Sequence, residues 1–190
     1  METEFVELAI KNMVCPRCIK AVKEGFEQIG YQVFGVNLGW VKIKSPINEQ
    51  AISSMLLANG FELLAGKDQK LIELIKINII KLVQSADLSI QQNLSVYLAA
   101  QIDTDYHHLS ILFSEAEGLT IERFFILQRI EKVKELLVYN ELSLKEIAFQ
   151  RGFSSVAHLS AHFKKITGFT TTHFKEIGQH KRKSLDQIKS

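Results

Sequence analysis

Cysteine is scarce in this chain, whose 190 residues contain only Cys15 and Cys18. Two cysteines with two residues between them make a poor disulfide framework, so a structural bridge is disfavoured. Thiolates at this spacing can instead converge on one metal ion or take part in thiol–disulfide exchange. We therefore expect a metal or redox role for the pair.

Long apolar segments are missing as well. The most apolar stretch, Leu71–Val83, is interrupted by Glu73, Lys76, Asn78 and Lys81, so it is poorly suited to cross a bilayer. The N-terminus also lacks the basic and then apolar pattern of a secretory signal. We expect a cytoplasmic protein with no membrane partner.

Familiar catalytic motifs are absent too. The sequence contains no phosphate-binding glycine loop, no zinc-protease motif and no hydrolase elbow. The apolar fraction of 46% is ordinary for a globular protein, so disorder is disfavoured. We expect a protein that is not an enzyme and that has no organic cofactor, unless the cysteine pair performs thiol–disulfide chemistry.

The net charge of +2 excludes little, but the charges are unevenly distributed. Residues 141–190 contain nine Lys and Arg against four Asp and Glu, whereas residues 85–140 contain four against eight. Basic charge therefore collects in the last fifty residues, as expected of a surface that meets a phosphate backbone.

The first 66 residues have the pattern βαββαβ. Four short strands are predicted from alternating or β-branched residues, at Glu4–Ile10, Tyr31–Leu38, Trp40–Lys44 and Phe61–Leu64. Two helices are predicted from apolar residues at helical spacing, at Cys18–Ile29 and Asn48–Ala58. Two strand–helix–strand units around a hairpin make a ferredoxin-like sandwich.

The rest of the chain is predicted to be helical. Helices are expected at about 70–84, 95–101, 105–116, 120–138, 144–151, 155–166 and 171–177. We therefore predict an α+β protein with a ferredoxin-like domain at 1–66, an all-α domain at 67–180 and a basic tail at 181–190. The phenylalanines of the helical half are expected in its core, at Phe124, Phe125, Phe149, Phe153, Phe163, Phe169 and Phe174.

Residues 142–174 have the pattern of two helices joined by a tight turn. Gly152 interrupts the first apolar stripe, and Ser154 or Ser155 can cap the second helix. A helix held by an inward apolar stripe presents its other face outward, as a recognition helix does in the major groove of DNA. The inward residues of the two helices are Leu144, Ile147, Ala148, Leu159, Phe163 and Ile166.

Three short motifs stand out in this region, namely Gly152-Phe153-Ser154, Phe163-Lys164-Lys165 and Thr167-Gly168-Phe169-Thr170. Together they closely resemble the C-terminal signature of AraC-type transcription regulators. Upstream, Leu109–Phe113 resembles the family's first recognition helix, and Arg129–Leu137 resembles the helix that joins its two helix-turn-helix units. The resemblance covers about residues 68–180. It implies an all-α double helix-turn-helix domain that binds double-stranded promoter DNA, with RNA polymerase and a second copy of the chain as candidate partners.

The resemblance also implies which residues face DNA. On the first recognition helix these are His107, Ser110 and Ile111; on the second they are Ala157, His158 and Ala161, with Ser154, Ser155, Ser160 and His162 beside them. Family members often carry Arg, which binds guanine through two hydrogen bonds, where this chain has Ile111 and Ala161. We expect Arg151, Lys164 and Lys165 to provide most of the affinity. The alternative is a helix-turn-helix retained only as a packing module.

The segment Asn12–Cys18 resembles the metal loop of heavy-metal-associated domains, the modules of copper chaperones and copper pumps, in which Gly usually stands at the position of Asn12. The resemblance and the preference of thiolates for soft ions together predict Cu(I) on Cys15 and Cys18. Ag(I), Hg(II) and Zn(II) are other candidates, although a closed zinc site needs two more ligands. Cys18 is expected at a helix N-terminus, which lowers a thiol pKa, and Met13 is expected to pack inward and support the loop.

These features together predict a one-component transcription regulator that binds specific DNA sequences and responds to a soft metal such as Cu(I). The first alternative is a copper-trafficking or copper-buffering protein whose helical half is an interaction module. The second alternative is a thiol–disulfide oxidoreductase.

Overall fold

The computed structural model describes residues 5–85 and 93–180, with side chains described as far as residue 177. The chain divides into two compact units. We call Met1–Ile80 with Leu98–Gly118 the sheet unit, and Lys81–Tyr97 with Leu119–Ser190 the helical unit. The predicted limits of the two domains stay a prediction, and the predicted basic tail at 181–190 lies outside the described residues.

The sheet unit begins with the element order β1-α1-β2-β3-α2-β4, in agreement with the predicted order. Its four strands are β1 Phe5–Lys11, β2 Val33–Asn37, β3 Trp40–Lys44 and β4 Glu62–Leu64. Its first two helices are α1 Pro16–Gln28 and α2 Glu49–Ala58. All neighbouring strands are antiparallel, in the order β2-β3-β1-β4. The assignment of this small sheet to the ferredoxin-like class stays a prediction.

One face of the sheet forms a core with α1 and α2. Alternation along a strand sends every second side chain to the same face, so Val41 and Ile43 of β3 are both fully buried. From α1, Val22 and Phe26 reach the same core because they are four residues apart on one side of the helix. This core holds β1 and the loop that follows it in place.

Within residues 65–85 and 93–180, seven further helices follow β4, as the sequence predicts. They are α3 Lys67–Gln84, α4 Leu94–Ile102, α5 Tyr106–Glu117, α6 Ile121–Tyr139, α7 Leu144–Gln150, α8 Val156–Thr167 and α9 Thr171–His180. Short polar side chains cap several of them, including Asp105 before α5, Thr120 before α6 and Ser143 before α7. None of the helices in the described ranges is long and apolar enough to cross a membrane.

The core of the helical unit joins α6, α7 and α8. Its buried residues are Ile130, Val133, Leu137, Ile147, Ala148, Phe153, Leu159 and Phe163. The expectation that the phenylalanines lie in this core is confirmed for Phe153 and Phe163 but is wrong for two others. Phe149 is 66% exposed and Phe169 is 45% exposed, because each lies on the outward side of its segment.

The turn between β2 and β3 gives a first testable prediction. Gly39 has φ +84°, and a Cβ placed there would lie 2.2 Å from Cδ1 of Ile77, a buried residue of α3. Gly30 has a similar φ of +87° but has nothing within 4 Å of such a Cβ. Both Gly→Ala substitutions strain the backbone, and only Gly39→Ala also overpacks the core.

We expect Gly39→Ala to lower the free energy of unfolding by about 1–2 kcal/mol more than Gly30→Ala does. Urea unfolding of both variants, followed by circular dichroism, measures this difference. Equal losses in the two variants would mean that Ile77 has room to move aside.

Candidate nucleic-acid interface and cysteine loop

Helix α8 has the geometry of a recognition helix. The turn before it passes through Gly152 at φ +66°, and Ser155 caps the helix by accepting a hydrogen bond from the His158 N–H at 3.0 Å. Leu159 and Phe163 are fully buried, which fixes the helix against α6 and α7. The remaining face of α8 is therefore presented outward.

Most of the residues predicted on this face are indeed at the surface. Exposed positions are Ser154, Ser155, Ala157, His158, Ala161, Lys164 and Lys165, and half-buried positions are Ser160 and His162. The sequence left two serines as candidate caps, and the structure assigns this role to Ser155. The hydroxyl of Ser154 instead lies 2.9 Å from Nδ1 of His158.

His158 and His162 form a ring cluster on α8. Their ring centroids are 4.7 Å apart, and the buried ring of Phe153 lies 5.7 Å from one and 6.2 Å from the other. Burial lowers the pKa of His162, and the nearby positive groups of His158, Arg129, Lys165 and Arg123 lower it further. The neutral form of His162 is therefore favoured in the folded chain.

This shift predicts a pH dependence of stability. Because the pKa of His162 is lower in the folded state, the unfolded state binds more protons near that pKa, and the free energy of unfolding falls as pH falls below about 6.5. We expect His162→Gln to reduce the loss of Tm between pH 7.5 and 5.5. The exposed His173 of α9 offers a control, because His173→Gln should leave this loss in place. An unchanged pH profile in His162→Gln would contradict the prediction.

The structure corrects the prediction for Arg151, which is only 2% exposed and so is not available to DNA phosphates. Its Nη1 donates hydrogen bonds to the carbonyl oxygens of Val83 at 2.9 Å and Ser85 at 3.1 Å. These carbonyls lie at the C-terminal end of α3, where backbone acceptors have no partners within the helix. Arg151 therefore satisfies a helix end instead of meeting a nucleic acid.

Arg129 of α6 is a second, half-buried arginine, and sequence reasoning gave it no individual role. Its Nε and Nη2 both donate to the carbonyl oxygen of Arg151, the former at 2.8 Å, and its Cζ lies 3.9 Å from the ring centroid of Phe153. Burial, followed by the charge of Arg151, lowers the pKa of Arg129 to about 10, so it remains protonated at neutral pH. It fixes the turn that precedes α8.

Helix α5, the predicted first recognition helix, lies in the sheet unit. Leu109 and Phe113 are fully buried, while His107 and Ile111 are exposed and Ser110 is half-buried. The helix thus turns its predicted DNA face outward. Its acidic end is partly neutralised, as described below.

The predicted metal loop connects β1 to α1. Asn12 adopts φ +72°, a left-handed conformation that glycine adopts freely and that Asn tolerates better than most other residues. Met13 is fully buried in the core of the sheet unit, as the inward position predicted for it requires. The loop is therefore braced immediately before the first cysteine.

The two cysteines are half-buried, and their sulfur atoms lie 3.3 Å apart. Helix α1 begins at Pro16, earlier than predicted, so Cys15 stands at the N-cap and Cys18 in the first turn. The predicted position of Cys18 at the N-terminal end of the helix is confirmed, and Cys15 lies there too. The pKa of Cys15 is lowered, first by the backbone N–H of Cys18 and then by the Cys18 thiol. The side chain of Cys15 makes no regular capping hydrogen bond.

The donor set fits a soft ion of low coordination number. Two metal–sulfur bonds of about 2.3 Å span at most about 4.6 Å, so sulfurs 3.3 Å apart can both reach one ion. Within the described part of the chain, no group of three or more His, Cys, Asp or Glu side chains is placed to hold a metal. A closed four-ligand zinc site is therefore not formed by the described residues.

Comparison with known proteins identifies the helical part. Residues 98–177 match the family model described as a helix-turn-helix domain. An uncharacterized HTH-type transcriptional regulator of Staphylococcus aureus is 34% identical over 89 residues, which are 47% of this chain and 11% of that protein. Related regulators from several strains of that species are 33% identical over the same length. The chain thus spans only a small part of the curated relatives that it matches.

Solved structures with a similar helical part include the C-terminal domain of the two-component response regulator yesN from Fusobacterium nucleatum. It is 35% identical, covers 54% of this chain and 95% of its own, and has a TM-score of 0.46. A transcriptional regulator with an AraC-type DNA-binding domain from Chromobacterium violaceum is 17% identical and has a TM-score of 0.49. The match covers 55% of this chain and 92% of that one. The family match, together with the geometry around α8, identifies residues 98–177 as a helix-turn-helix domain.

Proposed function

We propose that this chain is a sequence-specific transcription regulator of the AraC type whose DNA affinity responds to a soft metal ion, with Cu(I) as the first candidate. The helix-turn-helix domain binds promoter DNA, and the N-terminal sheet is a ferredoxin-like, heavy-metal-associated module. RNA polymerase and a second copy of the chain are candidate partners on the promoter.

The observation that supports DNA binding best is the division of α8 into two faces. Leu159 and Phe163 anchor one face, while the opposite face is exposed and leads to Lys164 and Lys165 in the last helical turn. A helix held in this way can enter the major groove, and lysines at its end can meet phosphates. Small side chains at Ala157 and Ala161 favour contacts with thymine methyl groups over hydrogen bonds to guanine.

Metal responsiveness is supported by the cysteine loop. Cys15 and Cys18 would hold the ion, since their sulfurs already converge and the lowered pKa of Cys15 favours its thiolate. When bound, the ion supplies a positive charge and a fixed link between the two sulfurs. Met13 and Asn12 keep the rest of the loop in position. Such an ion changes DNA affinity only if its own affinity differs between the free and DNA-bound protein.

The test is a pull-down of genomic DNA fragments by the purified chain at physiological salt, with and without Cu(I). We expect enrichment of a small set of promoters that changes on addition of Cu(I). The variant Cys15→Ser/Cys18→Ser should keep the metal-free enrichment and lose the change. Enrichment that is indifferent to Cu(I) would remove the metal as effector and keep the regulator.

Two outcomes would favour the alternatives instead. The absence of enriched fragments, together with rapid Cu(I) exchange with a chelator, would indicate a copper-trafficking or copper-buffering protein. Reduction of insulin disulfides that is lost in the Cys15→Ser/Cys18→Ser variant would indicate a thiol–disulfide oxidoreductase.

A further inference from the structure

A buried carboxylate of α3 holds the start of the cysteine loop. Glu73 is 6% exposed, and its Oε1 accepts a hydrogen bond from the backbone N–H of Asn12 at 3.0 Å. The side chain of Asn12 donates in turn to the carbonyl oxygen of Gly60 at 3.2 Å. Asn12, three residues before Cys15, is therefore held through both its backbone N–H and its side chain.

The same face of α3 contacts the end of α5. Lys76, three residues after Glu73, forms an ion pair of 2.7 Å with Glu117, the last residue of α5. The two side chains are 20% and 28% exposed, so solvent screens this pair less than a pair at the surface. All these residues belong to the sheet unit.

The carboxylate and the ammonium also act on each other. Burial raises the pKa of Glu73, and the Asn12 N–H and the charge of Lys76 oppose this rise. Lys76 thus stabilises the ionised form of the group that holds the loop, while its own ion pair fixes the C-terminal turn of the predicted first recognition helix. A change at the cysteine loop therefore alters the environment of Lys76 and α5, and a change at α5 alters that of Glu73 and the loop.

Metal binding supplies a reason for the loop to move. An ion held by both Cys15 and Cys18 would alter the positions of the two sulfurs, which lie 3.3 Å apart. Met13 is packed in the core and cannot absorb this movement easily. The Cys18 thiol, however, donates directly to the carbonyl oxygen of Asn12 at 4.0 Å, so an ion on this sulfur would disturb Asn12 without moving Met13.

We propose that Glu73 and Lys76 are positioning residues that link the state of the cysteine loop to helix α5. This inference rests on the proposed function, because it names the contacts through which an ion bound by Cys15 and Cys18 would affect a DNA-binding helix. All of its contacts lie within the sheet unit, so the link can be tested by itself. Linkage also works in reverse, so that a ligand on α5 changes the properties of the loop.

The experiment measures amide hydrogen exchange of α5, residues 106–117, in the full chain. The cysteine loop is perturbed in two ways, by Cu(I) and, without metal, by carbamidomethylation of both thiols. We expect either treatment to change the exchange rates of α5 amides by about fivefold or more, the lower end of common coupling strengths. The variant Lys76→Gln, which changes no residue of the cysteine loop, should reduce this response to less than twofold.

Controls separate the link from a general loss of structure. Lys81→Gln removes the same charge from an exposed position of α3 and should keep the full response. Glu117→Gln, which removes the other partner of the ion pair, should reduce the response as Lys76→Gln does. Glu73→Gln should also weaken the response, and its urea unfolding curve reports whether the buried substitution has damaged the fold.

Each result bears on one hypothesis. The link is wrong if α5 exchanges at the same rate whatever the state of the thiols, or if Lys76→Gln responds as strongly as the unsubstituted chain. A promoter pull-down that changes with Cu(I) while α5 stays unaffected would retain the proposed function and reject the link. A response of α5 without any Cu(I) effect on DNA binding would retain the link and reject the metal as effector.

Discussion

Replacing Arg151 with methionine is expected to lower the free energy of unfolding by about 3 kcal/mol. The buried carbonyl of Val83 and the part-buried carbonyl of Ser85 lose their donor, and an unpaired buried group costs about 1–3 kcal/mol. The guanidinium donates to Val83 and Ser85 from a position that is 2% exposed, and methionine keeps an unbranched apolar stem without the donors. Urea unfolding measures the loss as a lower midpoint at unchanged m-value.

The same variant distinguishes a structural arginine from a phosphate contact. Where Arg151→Met is still folded, the slope of log K against log salt for DNA binding should equal that of the unsubstituted chain. Arg123→Met, which removes an exposed charge from the first turn of α6, should leave the unfolding midpoint nearly unchanged. A slope that falls by about 0.9 in Arg151→Met would return this residue to the DNA interface.

Removing both lysines at the end of α8 is expected to weaken DNA binding by about 30-fold at 0.15 M salt, with little effect on stability. Lys164 and Lys165 are exposed at the C-terminal turn of the predicted recognition helix. Each phosphate contact contributes about 0.9 to the salt slope, so the slope of Lys164→Gln/Lys165→Gln should fall by about 1.8. Fluorescence anisotropy titrations of an enriched fragment at several salt concentrations measure both quantities.

A matched control removes two charges elsewhere. Lys20 and Lys23 are exposed on α1, and Lys20→Gln/Lys23→Gln gives the same change of net charge. We expect this variant to keep the full salt slope and to bind DNA within about twofold of the unsubstituted chain. If both double variants lost affinity equally, net charge and not the end of α8 would govern binding.

Local structure was readable from the sequence because its causes are local. Apolar spacing, a glycine and a capping serine lie within a few residues of one another, so the limits of α8 follow from residues 152–168 alone. The order of strands and helices before residue 66 follows in the same way from short alternating and helical patterns. The exposed face of α8 could then be predicted, since buried Leu159 and Phe163 fix the opposite side.

The roles of buried charges were not readable, because they depend on partners far away in the chain. Arg151 finds its acceptors 66 and 68 residues earlier, and Glu73 binds a backbone amide 61 residues before it. No periodicity connects such positions. An arginine next to a helix-turn-helix therefore looks like a DNA contact until its burial is known.

The exposure of single aromatic residues was also not predictable from the sequence. Phe149 follows two buried residues of α7, Ile147 and Ala148, and its own ring points outward. Three consecutive helical positions cannot all face one core, since each residue turns the helix by about 100°. The apolar composition of α7 favoured burial of Phe149, but only the direction of the helix's apolar face decides which residue is exposed to solvent.

The hydrogen bonds from Arg151 to Val83 and Ser85 have a practical consequence for studies of the DNA-binding half alone. The matched helix-turn-helix region begins at residue 98, yet two acceptors that hold the turn before α8 lie more than ten residues upstream. A recombinant fragment that begins at residue 98 would lack these carbonyls, which accept hydrogen bonds from the buried guanidinium of Arg151. A fragment that starts within α3, ahead of Val83, retains them and is the better choice for crystallisation with DNA.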